Sequence, residues 1–378
     1  MDIVIVGAGP VGCYTAQLLK NHGIKARIIE EDRTIGRPIR CAGLVGRQVF
    51  EDILLPLNRN SIINRIDGAT FFYENDYFQI NREEVAYVID RERFDKNLGK
   101  GLKVECGKKV IEIIEDKTGY ILKTDSGENI FADFVIGADG ANSRIRKYIN
   151  FLNKVSVNNK KRKNIKKYLG VQYRIKVDKN KFCSKFTQVH LREGIPFFIW
   201  IIPESDCVIR VGLISENARE DLINFIRERH IDGEIIERLA GLIPLGVTKI
   251  YYNNIALVGD SAIQVKPLTG GGIFYGLRSA EFLAESIIKG KFNEYDRRLK
   301  EQFGREIKFG LKARKLYEEI NEKELKNIFD LFKKNVVVIE KMANFENHSV
   351  IFKEILKNPK IFGDVGKILS RNIGKLFL

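Results

Sequence analysis

Gly7, Gly9 and Gly12 stand in the spacing GxGxxG within VIVGAGPVGCYTA, directly after an apolar run at residues 2–6 and at the head of a helical pattern that continues to about Asn21. This arrangement suits a pyrophosphate. The first glycine permits a tight turn, the second lets the backbone approach the phosphates, and the third lets helix and strand pack closely, while the helix N-terminus receives the negative charge. Glu30 ends the next apolar run, KARIIEED, at about the 20-residue interval where a carboxylate accepts from a ribose hydroxyl. Cys41, flanked by small residues in RCAGLVG, follows soon after. A thiol there is either a proton donor or relay, because an ordinary cysteine is mostly protonated near neutrality, or a small polarizable side chain that lets the backbone lie close to a ligand.

Which dinucleotide is held turns on two later stretches, GADGANSRIRK (137–147) and ALVGDSAIQVKPLTGGGIFYGLRSA (256–280), each with an aspartate at a strand end. A simple NAD domain needs neither. Asp260 is placed to accept from a sugar-type hydroxyl, and Gly270, Gly271 and Gly272 open a helix whose amides suit a phosphate or the pyrimidine edge of a flavin. Other chemistries lack their residues. The histidines at 22, 190, 230 and 348 show no i,i+4 pairing, the cysteines at 13, 41, 106, 183 and 207 form no CxxC, and GxSxG does not occur. The expectation is therefore no metal site, no disulfide framework and no hydrolase nucleophile.

The elements that must position these residues read as a strand, turn, helix and strand at the start of the chain, which favours a parallel sheet. Helix-like spacing is expected near 84–99, strands in VIEIIED and GYILKTDSG, and a buried strand in ADFVIGADG. The Lys/Asn-rich NKVSVNNKKRKNIKKYLG reads as a solvated connection, after which GVQYRIKV, FTQVHL, FFIWIIP and CVIRVGLI read as an antiparallel sheet and AREDLINFIRERH as a helix. From about 294 onward the pattern is helical and amphipathic, as in LKNIFDLFKKNVVVIEKM.

Sixty-four Lys+Arg against 49 Asp+Glu give a formal charge of +15, a bias toward anionic partners that abundant Lys, Glu and Ile also explain as the usage of proteins from hot environments. The basic residues lie in loops without interleaved stacking aromatics, so no nucleic acid is expected. No apolar stretch reaches the length of a membrane span and no cleavable leader is read, which points to the reducing cytoplasm.

Together these motifs resemble the flavoprotein family that includes aromatic hydroxylases, flavin halogenases and geranylgeranyl reductases, with a glutathione-reductase-like FAD fold. The likeness runs over roughly residues 1–290, and GRPIRCAGLVG, DRERFDKNL, PFFIWIIP and GDSAIQVKPLTGGGI look most like the archaeal geranylgeranyl reductase branch, including enzymes acting on digeranylgeranylglycerophospholipids. The resemblance implies an α/β protein, α+β overall. A Rossmann-like FAD-binding domain would be built from residues 1–75, 100–150 and 250–290, with an antiparallel substrate-binding domain from 76–99 and 151–249 and a helical C-terminal region, 291–378.

It further implies FAD contacts from Gly7, Gly9, Gly12 and Glu30, from Cys41 and Ala42 beside the ring, and from Arg91 of DRERF. Val110 would read adenine, Asp260 the ribityl-phosphate part, and Gly272 and Ile273 the pyrimidine end. In FFIWIIP, Phe198, Trp200 and Pro203 match an aromatic-x-Trp-x-x-Pro strand, whose wide apolar faces suit a hydrocarbon chain, with Phe198 where the family often has Tyr. The implied reaction is reduction of polyprenyl C=C bonds by hydride from reduced flavin plus a proton, with Cys41 as the candidate donor. Its alternative is an FAD-dependent monooxygenase or halogenase acting on an aromatic compound. A single GxGxxG leaves ferredoxin, a deazaflavin or NAD(P)H open as external electron donor. Lys160, Lys161, Arg162, Lys163, Lys166 and Lys167 offer positive charge to anionic headgroups, hence peripheral contact with the inner face of the membrane.

Overall fold

The computed structural model describes residues 1–156 and 165–350. In chain order the elements are β1 (Ile3–Val6), α1 (Pro10–Asn21), β2 (Ala26–Glu30), β3 (Leu44–Gly46), α2 (Gln48–Glu51), β4 (Ile62–Tyr73), β5 (Asp76–Ile89), α3 (Arg91–Gly99), β6 (Val104–Cys106), β7 (Val110–Glu115), β8 (Tyr120–Thr124), β9 (Asn129–Ala132), β10 (Phe134–Gly137) and α4 (Arg144–Ser156). They continue as β11 (Lys166–Lys176), β12 (Thr187–Leu191), β13 (Ile199–Ser205), β14 (Val208–Ile214), α5 (Ala218–Glu228), β15 (Glu234–Leu245), β16 (Tyr251–Tyr252), β17 (Ile255–Leu257), α6 (Ile273–Ile288), α7 (Asn293–Glu319), α8 (Glu322–Lys334) and α9 (Val336–Met342).

One sheet, ordered β16-β17-β10-β1-β2-β6, is parallel apart from its β16 edge. Its central strands IVIV and FVIG are buried at every position, as expected where helices cover both faces of a parallel sheet. Pro10 at the first turn of α1 supplies a preset φ and gives up only an amide that lacks an intrahelical partner. The second sheet, β15-β11-β14-β13-β12-β4-β5-β3, has eight strands, and β7-β8-β9 form a small third one. The mixed α/β architecture expected from sequence is thus present.

Particular segments depart from the sequence reading. Residues 84–89 finish β5 instead of starting a helix; α3 begins only after Asp90, whose carboxylate caps the amide of Arg93 at 3.0 Å. A short apolar run such as VAYVI fits a buried strand or a helix equally by period, and pairing with β4 and β3 decides it. The strand Ile62–Tyr73, grouped by sequence with the nucleotide-binding segments, pairs with β5 and β12 in the eight-stranded sheet. The basic stretch read as a loop begins inside α4 and ends inside β11. Lys166 there pairs with Glu318 at 2.8 Å and Lys167 donates to Asn142 at 2.6 Å, while Lys160, Lys161, Arg162 and Lys163 lie outside the described residues. No helix among the described residues is long and apolar enough to cross a membrane.

His190 on β12 is buried, stacked on Phe72 at 4.6 Å and edge-on to Phe225 at 4.9 Å. Burial, helped by the Arg229 charge, pushes its pKa down to about 3. The folded protein holds this imidazole neutral, whereas the unfolded chain takes up a proton below about 6.5, so stability is lost as pH falls from there toward 3. His348, pushed down to about 3 by burial and Lys266, acts in the same sense. His190→Phe, which keeps the stacking, is expected to flatten the fall of the unfolding temperature between those pH values; an unchanged slope in thermal melts would refute the assignment.

Candidate active site

A cavity of about 1130 Å³ lies between the two large sheets, above the range of about 300–1,000 Å³ typical of small-molecule pockets. Gly7, Gly9, Glu30, Cys41, Ala42, Arg91, Val110, Phe198, Trp200, Asp260, Gly272 and Ile273 all line it, although they come from segments far apart in sequence. Gly12 does not. A Cβ on Gly12 would lie 2.1 Å from the Gly7 carbonyl oxygen, so its role is the close packing of α1 beneath the turn.

At the end of the cavity formed by the parallel sheet, the Glu30 carboxylate accepts from the amides of Ala8 at 2.6 Å and Asp32 at 2.8 Å. Burial raises its pKa, and these amides pull it back. Asp139 accepts from Ser143 at 2.5 Å and from the amides of Arg144 and Ile145, fixing the start of α4. Arg146, one turn on, donates to the carbonyls of Asp260 at 2.9 Å and Ser261 at 2.8 Å, so it ties the 138–141 loop to the 259–262 turn. Gln264 accepts from the Gly259 amide at 2.6 Å and donates to Tyr295 at 2.7 Å, which braces that turn from beneath. Ile263 is held at φ 60, an unusual conformation for a β-branched residue and a sign that the turn's shape is imposed by its surroundings.

Burial pushes the Asp260 carboxyl up to about 6, against the opposing charges of Arg91 and Arg146. Among the described residues that carboxylate accepts no hydrogen bond, and its Oδ1 lies 2.9 Å from where a Gly272 Cβ would sit. A Cβ on Gly9 would meet nothing within 4 Å, so the backbone there is open to the cavity. The Thr269 hydroxyl beside the glycine turn is buried without a partner. A glycine turn open to the cavity at Gly9, the Asp260 carboxylate beside a second glycine turn, and the Glu30 carboxylate fit a bound flavin nucleotide.

Cys41 is half-buried at the junction between this cradle and the apolar remainder. Its sulfur accepts from the Gly43 amide at 3.4 Å and interacts with the Arg91 guanidinium, which Asp95 holds at 3.1 and 3.0 Å. Arg210, buried on β14, donates to the Ala42 carbonyl at 2.9 Å and the Ile89 carbonyl at 3.2 Å while pairing with Glu204 at 2.9 Å. Burial opposes ionisation of Glu204, but Arg174 and Arg210 outweigh it and hold the carboxyl below its usual range.

The cavity is also lined by Ile66, Phe71, Ile80, Val189, Leu191, Phe332 and Ile339, from β4, β5, β12, α8 and α9, with Arg82, Thr187 and Gln188 from the same strands. Trp200 lies over Gly212, where a Cβ would come within 2.5 Å of the indole, and its N–H donates to Gln172 at 2.8 Å. Phe198 meets Trp200 edge to face at 6.2 Å.

Sequence reasoning passed over Arg146, Arg210, Lys266 and Arg314. Arg314 on α7 donates to the carbonyls of Pro267, Leu268 and Pro196 and lies 3.6 Å over the Phe197 ring, and burial lowers its pKa to about 10. A solitary charge in an apolar run, as in VIRVGLI, was the available signal for Arg210.

Residues 2–341 match the family model described as lycopene cyclase protein. The chain is 33% identical to an uncharacterized protein of Methanocaldococcus jannaschii, over 95% of this chain and 96% of that one. It is 26% identical to digeranylgeranylglycerophospholipid reductase 1 of Methanococcoides burtonii, over 100% of this chain and 97% of that protein. The fold matches the crystal structure of a geranylgeranyl bacteriochlorophyll reductase-like protein of Thermoplasma acidophilum with a TM-score of 0.76 at 23% identity, covering 97% of this chain and 98% of that one. From the extent of these matches, the chain belongs to the lycopene cyclase protein family.

Proposed function

We propose that this protein is an FAD-dependent reductase of C=C bonds in geranylgeranyl chains, acting on archaeal-type membrane lipids or their prenyl precursors. The observation that supports this reading is one cavity lined both by the glycine turns with Glu30 and Asp260 and by apolar side chains of β4, β5, β12, α8 and α9, with Cys41 among its lining residues. The relatives named as digeranylgeranylglycerophospholipid reductases support the substrate class.

The glycine turns, Glu30 and Asp260 would hold FAD, which, reduced by an external donor such as ferredoxin, a deazaflavin or NAD(P)H, would supply the hydride for one alkene carbon. The other carbon needs a proton inside an oily slot. Cys41 holds such a proton at Sγ, and the Arg91 cation beside the sulfur stabilises the anion left after donation. Trp200 and Phe198 present wide apolar faces to the chain, and the α8–α9 wall excludes water.

Anaerobic incubation of the reduced, flavin-loaded protein with polyprenyl lipids should give products heavier by one H₂ per double bond. An oxygenated or halogenated aromatic product in air would favour the monooxygenase or halogenase reading. Cys41→Ser is expected to keep bound flavin, with an unaltered visible spectrum, and to lower the rate of alkene reduction by about 100-fold or more, the usual scale of a lost general acid. Wild-type turnover in that variant would remove Cys41 from the chemistry.

A further inference from the structure

An ion pair is buried in the wall of this cavity. Lys266 and Glu346 have side chains 5% and 7% exposed, and Nζ lies 3.0 Å from Oε2. The lysine also donates to the Phe345 carbonyl at 2.8 Å and lies 4.4 Å over the Phe345 ring. Glu346 Oε2 accepts no hydrogen bond, so the contact is Coulombic without the alignment that would satisfy the carboxylate. Burying such a pair costs several kcal/mol per ion in typical proteins, and apolar residues of similar volume usually serve stability as well or better. Packing alone therefore does not account for it.

Its orientation does offer an account. Lys266 belongs to the glycine turn itself: its amide donates to the Gly271 carbonyl and its carbonyl accepts from the Gly270 amide, each at 2.9 Å. A Cβ on Gly271 would lie 2.9 Å from Lys266 Cε and 3.4 Å from Nζ. Glu346 points the other way, with Oε1 2.5 Å from where a Gly46 Cβ would sit. The segment carrying Glu346 is fixed in place, since Tyr275 donates to the Glu346 carbonyl at 3.1 Å and the His348 amide to Glu306 at 2.8 Å. The positive end of the pair thus faces the 270–272 turn and adds to the positive N-terminal end of α6.

We propose that the Lys266–Glu346 pair is an oriented electrostatic element that favours the reduced, negatively charged form of the flavin held against the 270–272 turn. This rests on the flavin reading given under the proposed function. Lys266 acts through the turn as a positioning and tuning residue, whereas Glu346 holds it there and limits the size of the effect. Charge near the pyrimidine end of a flavin is one of the means by which a protein sets cofactor electronics.

The experiment is potentiometric titration of the flavin-loaded protein, without any prenyl substrate. Lys266→Met should shift the oxidised–reduced equilibrium at least tenfold toward the oxidised form, a fall of about 30 mV for this two-electron couple. Glu346→Gln should shift it in the opposite direction. Because removing one partner of a buried pair threatens folding, the double variant Lys266→Met/Glu346→Met provides a second reading, with a potential below wild type but above Lys266→Met alone. Lys266→Arg should retain the wild-type value. Equal potentials in all the variants with flavin bound, or shifts of one sign in both single variants, overturn this inference and leave the reductase reading standing. A wild-type chain that takes up no flavin overturns both.

Discussion

Gly7→Ala is expected to abolish FAD retention, weakening binding by at least about 100-fold, the equivalent of roughly 3 kcal/mol. Gly7 has φ +104, and a Cβ there would lie 2.3 Å from the Ala138 carbonyl oxygen and 2.7 Å from its carbon. No rotamer relieves a clash between Cβ and backbone, so either the β1–α1 turn or the 138–141 loop must move. Both loops line the cavity, and the second is tied through Arg146 to the turn carrying Asp260, so one displacement would disturb several of the proposed cofactor contacts together. Gly9→Ala separates binding from folding. Its φ of −64 is ordinary and its added Cβ meets no protein atom within 4 Å, so the variant should melt like wild type, yet the methyl enters the space where the pyrophosphate approaches the backbone. Absorbance titration of the apoprotein with FAD, beside thermal melts, checks both variants. A Gly7→Ala protein that binds FAD like wild type would mean that the cradle is misplaced.

The second large effect concerns Arg210. Arg210→Met is expected to reduce alkene turnover more than tenfold while flavin remains bound, and to destabilise the fold by roughly 2–4 kcal/mol. The guanidinium fills the space left by Gly43, where a Cβ would fall 1.9 Å from Nη1, and from there it grips the Ala42 and Ile89 carbonyls. Without it the loop bearing Cys41 loses its anchor to β14. Glu204 is not stranded, because Arg174 still pairs with it at 2.9 and 2.6 Å, which keeps the stability cost below that of a fully orphaned buried charge. Peptide-resolved alkylation of the native protein should show Cys41 reacting faster in the variant. Unchanged alkylation together with unchanged turnover would show that the loop holds its place by other means.

The sequence by itself determined the β1–turn–α1 unit that the proposed nucleotide site is built on. A run such as IVIV followed by GxGxxG admits few structures, because the tight turn, the close phosphate approach and the helix packing each exclude a side chain at a fixed spacing. It likewise marked Asp260, Gly272, Cys41 and Trp200, which converge on one cavity although they lie far apart along the chain. Local patterning also located four of the eight strands of the second sheet, β11, β12, β13 and β14, because runs rich in β-branched and aromatic residues survive in the one-dimensional record.

What only the tertiary structure decided is the company these residues keep. Residues 84–89 became strand because β4 and β3 lie alongside them, and no local property distinguishes that outcome from a helix. Arg210 in β14 reaches the Cys41 loop across a separation of 168 residues, and Glu346 meets Lys266 only because the chain folds back after α9. Local signals fix conformation through steric limits within a few residues. Buried charges are tolerated only where distant groups arrive to satisfy them, and which groups arrive is settled by the packing of the whole fold.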